Sequence, residues 1–143
     1  PGLWRSPAAL SQYGVAQLAG WFRDIVQSSA WFEDNLASGS DAEVYAKMVD
    51  ILASVGGAGD EGMFNHFRSQ YLATRLNAVA GRLGLNTSHD ISSIPGAVGY
   101  FGGSQLTLSQ IINVIEARAS SLPDRPQLEI MKDVCDALNN LDI

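Results

Sequence analysis

The feature that most constrains the fold of this chain is its long apolar central segment, between residues 61 and 83. Apolar residues recur there at spacings of three, four and seven, which place side chains on one side of an α-helix. They form two adjacent stripes: Phe64, Phe67, Tyr71 and Ala78, then Leu72, Leu76, Val79 and Leu83. Two stripes make the apolar arc wider than that of a surface helix. We therefore predict a central helix that is contacted on several sides and capped at Gly84.

Polar start signals divide the rest of the chain into further helices. Ser6 before Pro7 predicts the start of a first helix, which Gly14 interrupts. Three capping boxes predict later starts, since each pairs a capping side chain with Glu or Gln three residues on. They are Ser40 with Glu43, Thr107 with Gln110, and Asp124 with Gln127. The helix after Ser40 is expected to be lined by Val44, Met48, Ile51 and Val55 and to stop at Gly56-Gly57.

Together these signals predict a fold class. We expect one all-α domain spanning residues 1–143, with five or six helices packed around the central helix near 61–83. Residues 84–106 are rich in glycine and turn-forming residues, so we predict an irregular loop there. A loop of about twenty residues is unusual in a compact domain and is often functional.

Composition bears on partners and location. The net charge is −6 and no cluster of Lys or Arg occurs, which disfavours nucleic acid. No apolar run approaches the roughly 20 residues that span a bilayer, so we expect no membrane insertion by this segment. The charged fraction is 17%, below the roughly 25% of typical domains, as is common outside the cell. The start at Pro1 indicates a processed product or an excised domain.

Residues that could support catalysis are few. His66 and His89 are too far apart in sequence for a zinc site with two histidines one helical turn apart. The single Cys135 has apolar neighbours and is expected to be a buried thiol. We therefore predict a protein without catalytic residues and without a cofactor. The alternative is a small hydrolase or metal-dependent enzyme that uses His66, His89 and Asp90.

Binding residues are expected mainly in loops. Asp60 and Asp90 are candidate calcium ligands, although no twelve-residue calcium loop is present. A second alternative is therefore a calcium- or glycan-binding domain that uses residues 84–104. Asn86-Thr87-Ser88 is a candidate glycosylation site if the protein is exported.

Two aromatic pairs, Trp31-Phe32 and Tyr100-Phe101, would indicate a protein or glycan contact if they were exposed. Arg75 and Asn77 are expected to be structural, because a guanidinium inside a central helix must be paired with a carboxylate or with backbone carbonyls. The candidate binding residues are thus Trp31, Phe32, Asn86, His89, Asp90, Tyr100 and Phe101.

Several runs resemble a family of helical domains in secreted and cell-surface proteins of bacteria and archaea. Residues 2–5 read Gly-Leu-Trp-Arg, similar to the Gly-aromatic-Trp-Lys opening of that family. His66 and the run Tyr-Leu-Ala-Thr-Arg-Leu-Asn at 71–77 resemble its central helix, as does Gly-Arg-Leu at 81–83. Residues 29–32 and 136–140 are also similar. Ser6-Pro7 stands where the family has an Asn-His or similar pair, so no role of that pair is transferred.

The resemblance implies an extracellular module with no established enzymatic activity, usually embedded in larger surface proteins. Our hypothesis is therefore a non-enzymatic structural or adhesive module, located outside the cell or at its surface. Its expected partners are proteins: copies of itself or adjacent domains of a surface protein.

Overall fold

The helices of this protein begin largely where the sequence provides caps. The computed structural model describes residues 2–54 and 56–143 and has six α-helices in that part of the chain. They are α1 (Pro7–Gln27), α2 (Asp41–Ala53), α3 (Gly59–Val79), α4 (Ala97–Phe101), α5 (Leu108–Arg118) and α6 (Arg125–Asn139). Single 3-10 turns lie at Asp34–Ala37 and Ala119–Ser121. The predicted all-α class is confirmed.

The predicted helix starts are confirmed as well. Ser6 accepts from the Ala9 N–H with Pro7 in the first turn, and Gly14 breaks α1 with φ of 80°. All three capping boxes are present, with both bonds formed in each one. Helix α2 ends at Ala53, and Val55, which was expected to line it, lies outside the described residues.

Helix α3 lies at the centre of the core, as predicted. Its residues 69–74 are all buried, which requires neighbours on every side of the helix. Phe67, Tyr71, Leu72 and Leu76 have no exposed surface. The main partner of α3 is α6, and α2 and α1 also pack against it. From α6 come Leu128, Met131, Val134, Cys135 and Leu138, all buried.

The predicted end of the central helix was wrong. Helix α3 stops at Val79, and Gly81, not Gly84, takes the left-handed conformation after it, with φ of 77°. The Arg82 N–H donates to the Asn77 carbonyl at 2.8 Å and the Gly81 N–H to the Ala78 carbonyl at 3.1 Å. This pair of bonds is the Schellman motif. Leu83 fits the apolar spacing of the helix although it lies beyond the true end. The predicted end was therefore placed too late in the sequence.

The predicted irregular loop at 84–106 was also wrong in part, because regular elements lie within it. Strand β1 (Ser88–Asp90) pairs antiparallel with β2 (Gln105–Thr107), and α4 lies between them. The register pairs His89 with Leu106. Strands of three residues are too short to show an alternating pattern, so periodicity could not predict them.

Candidate functional site

Among the described residues, no hydrogen bond joins His66, His89 and Asp90, which were considered for an enzyme. His89 is 6% exposed, and its Nδ1 lies 3.0 Å from the Ile143 carbonyl oxygen. Its Nε2 has no hydrogen-bond partner among the described residues. His66 is half-buried on α3 and makes no side-chain hydrogen bond in the described part of the chain. Asp90 is exposed and accepts from the Ser92 N–H at 2.9 Å, which closes a local turn.

The calcium candidates are likewise separate. Asp60 is exposed in the first turn of α3, whereas Asp90 belongs to β1. The bond from Ser92 lowers the pKa of the Asp90 carboxyl group. Within residues 2–54 and 56–143 no group of three or more His, Cys, Asp or Glu side chains is arranged to hold a metal ion.

Arg75 meets a carboxylate that sequence reasoning missed, that of Glu116 on α5. The Arg75 Nη1 lies 3.3 Å from Glu116 Oε2 and 3.0 Å from the Tyr71 hydroxyl. Tyr71 donates to the same Oε2 at 2.5 Å. Burial raises the pKa of Tyr71 above its ordinary value, so the phenol keeps its proton for this bond. Glu116 lies four residues after Ile112, beside the apolar stripe of α5, and that spacing is the signal that could have found it.

Glu116 also holds the segment before the first aromatic pair. Its Oε2 accepts from the Ser29 hydroxyl at 2.6 Å and its Oε1 from the Ala30 N–H at 2.8 Å. Next to these bonds, the Trp31 indole N–H donates to the Ile115 carbonyl at 2.8 Å. Four internal donors therefore hold the carboxylate, three on Oε2 and one on Oε1. These bonds fix the segment before Trp31 against α5.

Asn77 belongs to a second polar network, centred on Asn139 of α6. Asn77 accepts from the Trp4 indole N–H at 3.1 Å and donates to Asn139 Oδ1 at 2.9 Å. Asn139 donates to the Gln70 carbonyl and side chain, at 3.0 and 2.9 Å. The Thr74 hydroxyl lies 3.0 Å from Asn139 Oδ1. These bonds join α6 and the start of the chain to α3. Asn139 was not singled out from the sequence, because a partner 62 positions away leaves no local signal.

The aromatic pairs are not exposed. They therefore do not meet the condition, exposure, under which they would indicate a protein or glycan contact. Trp31 and Phe32 are 7% and 3% exposed, and Phe101 is 5% exposed. Tyr100 is half-buried under Arg118, whose guanidinium carbon lies 4.6 Å from the ring centroid. Trp31 and Phe32 pack against Phe67 and Tyr71 of α3, and α4, which carries Tyr100 and Phe101, packs against α6.

Trp31 and Phe32 nevertheless form the floor of a surface groove of about 330 Å³. We call it the aromatic groove. Its lining residues are Ala30, Trp31, Phe32, Glu33, Phe64, Ala119, Leu122, Pro123 and Leu128. Glu33 is the one charged residue in that lining, and it pairs with Arg68 at 3.0 Å. The groove is thus an apolar cleft with a single carboxylate at its edge.

Leu122 stands at the rim of this groove in an unfavourable conformation. Its side chain is 86% exposed and its φ is 51°. For a residue with a Cβ, the left-handed region costs about 1–2 kcal/mol. Such strain persists only where the surroundings hold it, and it clusters at functional sites. Leu122 is the cap of the 3-10 turn at Ala119–Ser121, and its apolar side chain extends the lining of the groove into solvent.

Asn86 is exposed in the turn that precedes β1. In the part of the chain that the structure describes, no helix has both the length and the apolar character needed to cross a bilayer. Comparison with known proteins finds no match to any family model, curated protein or solved structure. The resemblance noted in the sequence therefore stays a prediction.

Proposed function

We propose that this protein is a non-enzymatic interaction module whose aromatic groove receives an apolar side chain of a partner protein. The observation that carries the proposal is the open aromatic groove with the exposed, strained Leu122 at its rim. A volume of about 330 Å³ is at the lower end of the ~300–1,000 Å³ typical of small-molecule sites. It suits one or a few side chains better than a large ligand.

The chemistry of the groove supports binding over catalysis. Glu33 is engaged with Arg68, and the remaining lining residues are apolar apart from the Trp31 indole N–H, which is bonded to Ile115. Aromatic floors of this kind are enriched at the centres of protein interfaces, where buried Trp and Tyr side chains contribute most of the binding energy.

We propose further that the module acts outside the cell or at its surface, alone or within a larger surface protein. The low charged fraction of 17% and the exposed Asn86 of the Asn-Thr-Ser sequence support this location. Antibody labelling of intact cells tests it. Labelling that requires prior lysis would contradict an external location.

A small probe tests the groove directly. N-acetyl-leucinamide, titrated into ¹⁵N-labelled protein, should shift the indole N–H resonance of Trp31 and leave that of Trp4 unchanged. Ala30→Arg places a long charged side chain at the edge of the groove from an exposed position, and it should abolish the shift. Ala42→Arg makes the same change at an exposed alanine of α2 outside the groove and is the matched control. A Trp31 indole N–H resonance that does not shift when the probe is added to the wild-type protein would refute the proposal.

A further inference from the structure

A second cleft, of about 290 Å³, lies where the last turns of α1 and α3 meet α5. Its polar lining consists of Asp24, Arg75 and Ser28. The other lining residues are apolar: Ile25, Ala78, Val79, Leu85 and Ile112. We call this cleft the Arg75 pocket. It shares no lining residue with the aromatic groove, so the two are separate surfaces.

The apolar wall of the Arg75 pocket is partly open to solvent. Val79 is 43% exposed and Leu85 is 50% exposed, which is unusual for large apolar side chains. An apolar wall beside a few polar groups is the ordinary composition of a small-molecule site, in which the polar groups orient the ligand. The wall therefore offers contact to an aliphatic group.

Arg75 has two N–H donors without a partner among the described residues. A guanidinium carries five N–H groups. Nη1 donates to the Tyr71 hydroxyl and to Glu116, and Nη2 donates to the Ser28 hydroxyl at 2.7 Å. The Nε–H and one Nη2 hydrogen are left, on a side chain that is 14% exposed and held in place by those three bonds. Adjacent guanidinium donors match the two oxygens of a carboxylate.

Asp24 supplies the second charge of the pocket. It is exposed, and in the described part of the chain it forms no ion pair, either with Arg75 or with another residue. Its neighbour Arg23 is paired with Asp41 at 2.6 Å. Asp24 precedes Ser28 by four residues, which places it on the side of α1 where Ser28 meets Arg75. A carboxylate and two donors thus line one pocket without pairing with each other.

The charges around the pocket favour a zwitterion. Glu116, 3.3 Å from Arg75, already offsets the charge of the guanidinium, and Asp24 adds a further negative charge. A ligand with only a carboxylate would meet this excess of negative charge, which is unfavourable. A ligand with only an ammonium group would leave the two donors of Arg75 unused. An α-amino acid carries both groups on one carbon, next to its side chain.

We propose that the Arg75 pocket binds a free α-amino acid with an aliphatic side chain, such as leucine. Its carboxylate accepts from the two remaining donors of Arg75, its ammonium group faces Asp24, and its side chain covers Val79 and Leu85. A volume of about 290 Å³ is close to the lower limit of the ~300–1,000 Å³ typical of small-molecule sites, as suits a ligand of this size. This binding goes beyond the proposed function of the aromatic groove and does not depend on it.

Probes that share one side chain and differ in charge test the proposal. Leucine carries both charges, leucinamide only the ammonium group, N-acetyl-leucine only the carboxylate, and N-acetyl-leucinamide neither. Each is titrated into ¹⁵N-labelled protein and followed at the Arg75 Nε–H resonance. Leucine should shift this resonance and bind most tightly. The other probes should bind more weakly by about fivefold, because each loses at least one charge-assisted contact.

Two variants with matched controls locate the contacts. Asp24→Asn should weaken leucine binding by about twofold to fivefold, the range for an exposed ion pair. Asp50→Asn is its control, since Asp50 is exposed and lies three residues before the end of α2, as Asp24 does in α1. Leu85→Ala should weaken binding by on the order of tenfold through lost apolar contact. Leu10→Ala is its control, an exposed leucine of α1 that lines neither the groove nor the Arg75 pocket.

The outcomes separate this proposal from its alternatives. An Arg75 Nε–H resonance that leucine does not shift would overturn it, as would equal affinity of leucine for the wild type and Asp24→Asn. Leucinamide or N-acetyl-leucine that binds as tightly as leucine would replace the amino acid with a simple amine or carboxylate. The response of Trp31 to N-acetyl-leucinamide reports on the aromatic groove alone, so failure at one site is distinguishable from failure at the other.

Discussion

The ends of α3 and α6 use the same hydrogen bonds but place different residues in the same strained position. After α3 the left-handed residue is Gly81, with φ of 77°. After α6 it is Leu141, with φ of 58°. In each motif one N–H bonds back over five residues and the preceding N–H over three. The two ends are also neighbours, since Asn77 at the end of α3 donates to Asn139 at the end of α6.

The difference between the two helix ends shows where the stability of the fold alone accounts for the residue in the left-handed position. Glycine enters the left-handed region without the cost of about 1–2 kcal/mol that a Cβ brings. The end of α3 therefore has the residue that stability favours. The end of α6 has a residue that stability disfavours and that exposes apolar surface. The cap of α6 therefore costs stability that the cap of α3 does not.

The junction between the two helix ends should be the most sensitive part of the comparison. Asn139→Ala would leave Asn77, Thr74 and Gln70 without the partner that now bonds all three. Buried polar groups without partners cost about 1–3 kcal/mol each, and partial access to water lessens this. We expect a loss of about 2–4 kcal/mol in the free energy of unfolding, measured by urea denaturation.

Asn140→Ala is the matched control for that measurement. Asn140 is exposed, and its side chain bonds only Asp136 Oδ1, at 3.1 Å. Its removal should change stability by no more than about 0.5 kcal/mol. Equal losses at positions 139 and 140 would show that the network does not hold the two ends together.

Alkaline pH should weaken the interior contact between the same two helices. Burial raises the pKa of the Cys135 thiol from 9.0 to about 12, and burial raises that of Tyr71 as well. Both groups are neutral when protonated, so the unfolded chain releases these protons at lower pH than the folded chain does. Stability from Cys135 is complete below its unfolded pKa and is lost as pH rises from about 9 toward about 12.

The slope of unfolding free energy against pH tests the assignment of this loss to Cys135. Cys135 should contribute up to about 1.4 kcal/mol of lost stability per pH unit in that window. Urea denaturation of the wild type and of Cys135→Ala at a series of pH values isolates the contribution, because other alkaline groups are common to both proteins. Parallel pH profiles for the two proteins would contradict it.

Exchanging the residues at the two caps should change stability in opposite directions. Gly81→Ala should destabilise the protein by about 1 kcal/mol, because the new Cβ enters a left-handed backbone. No atom lies within 4 Å of that Cβ, so conformation alone sets the effect. Leu141→Gly should stabilise the monomer by up to about 1 kcal/mol, once the entropy of glycine is deducted. Urea denaturation at low concentration measures both, and changes of the same sign would break the comparison.

Local signals sufficed to predict most of the helical framework. The two hydrogen bonds of a capping box, such as Ser40 with Glu43, form within one turn of the chain. The residues of the box therefore identify the start of a helix without knowledge of its tertiary contacts. The apolar stripes of α3 identified the core helix for a similar reason. Its end was misplaced because Leu83 fits the helical spacing although Gly81 had already reversed the chain.

The candidate site depended on contacts between distant segments, which spacing does not reveal. Glu116 accepts hydrogen bonds from Ser29 and Tyr71, and Asn139 accepts one from Asn77. The two partners of each bond lie far apart in the sequence. The aromatic groove forms only where the folded chain brings residues 30–33, Phe64 and residues 119–128 together. Trp31 and Phe32 were singled out from the sequence as binding residues on the condition that they were exposed. The structure instead places them beneath the groove.

An isotope-filtered nuclear Overhauser measurement on the aromatic groove tests the central claim most directly. The protein is labelled with ¹³C, and N-acetyl-leucinamide is added without label. The account predicts intermolecular contacts from the methyl groups of the probe to the rings of Trp31 and Phe64, which are lost in Ala30→Arg and kept in Ala42→Arg. Probe contacts that reach neither ring, or that persist in Ala30→Arg, would contradict it.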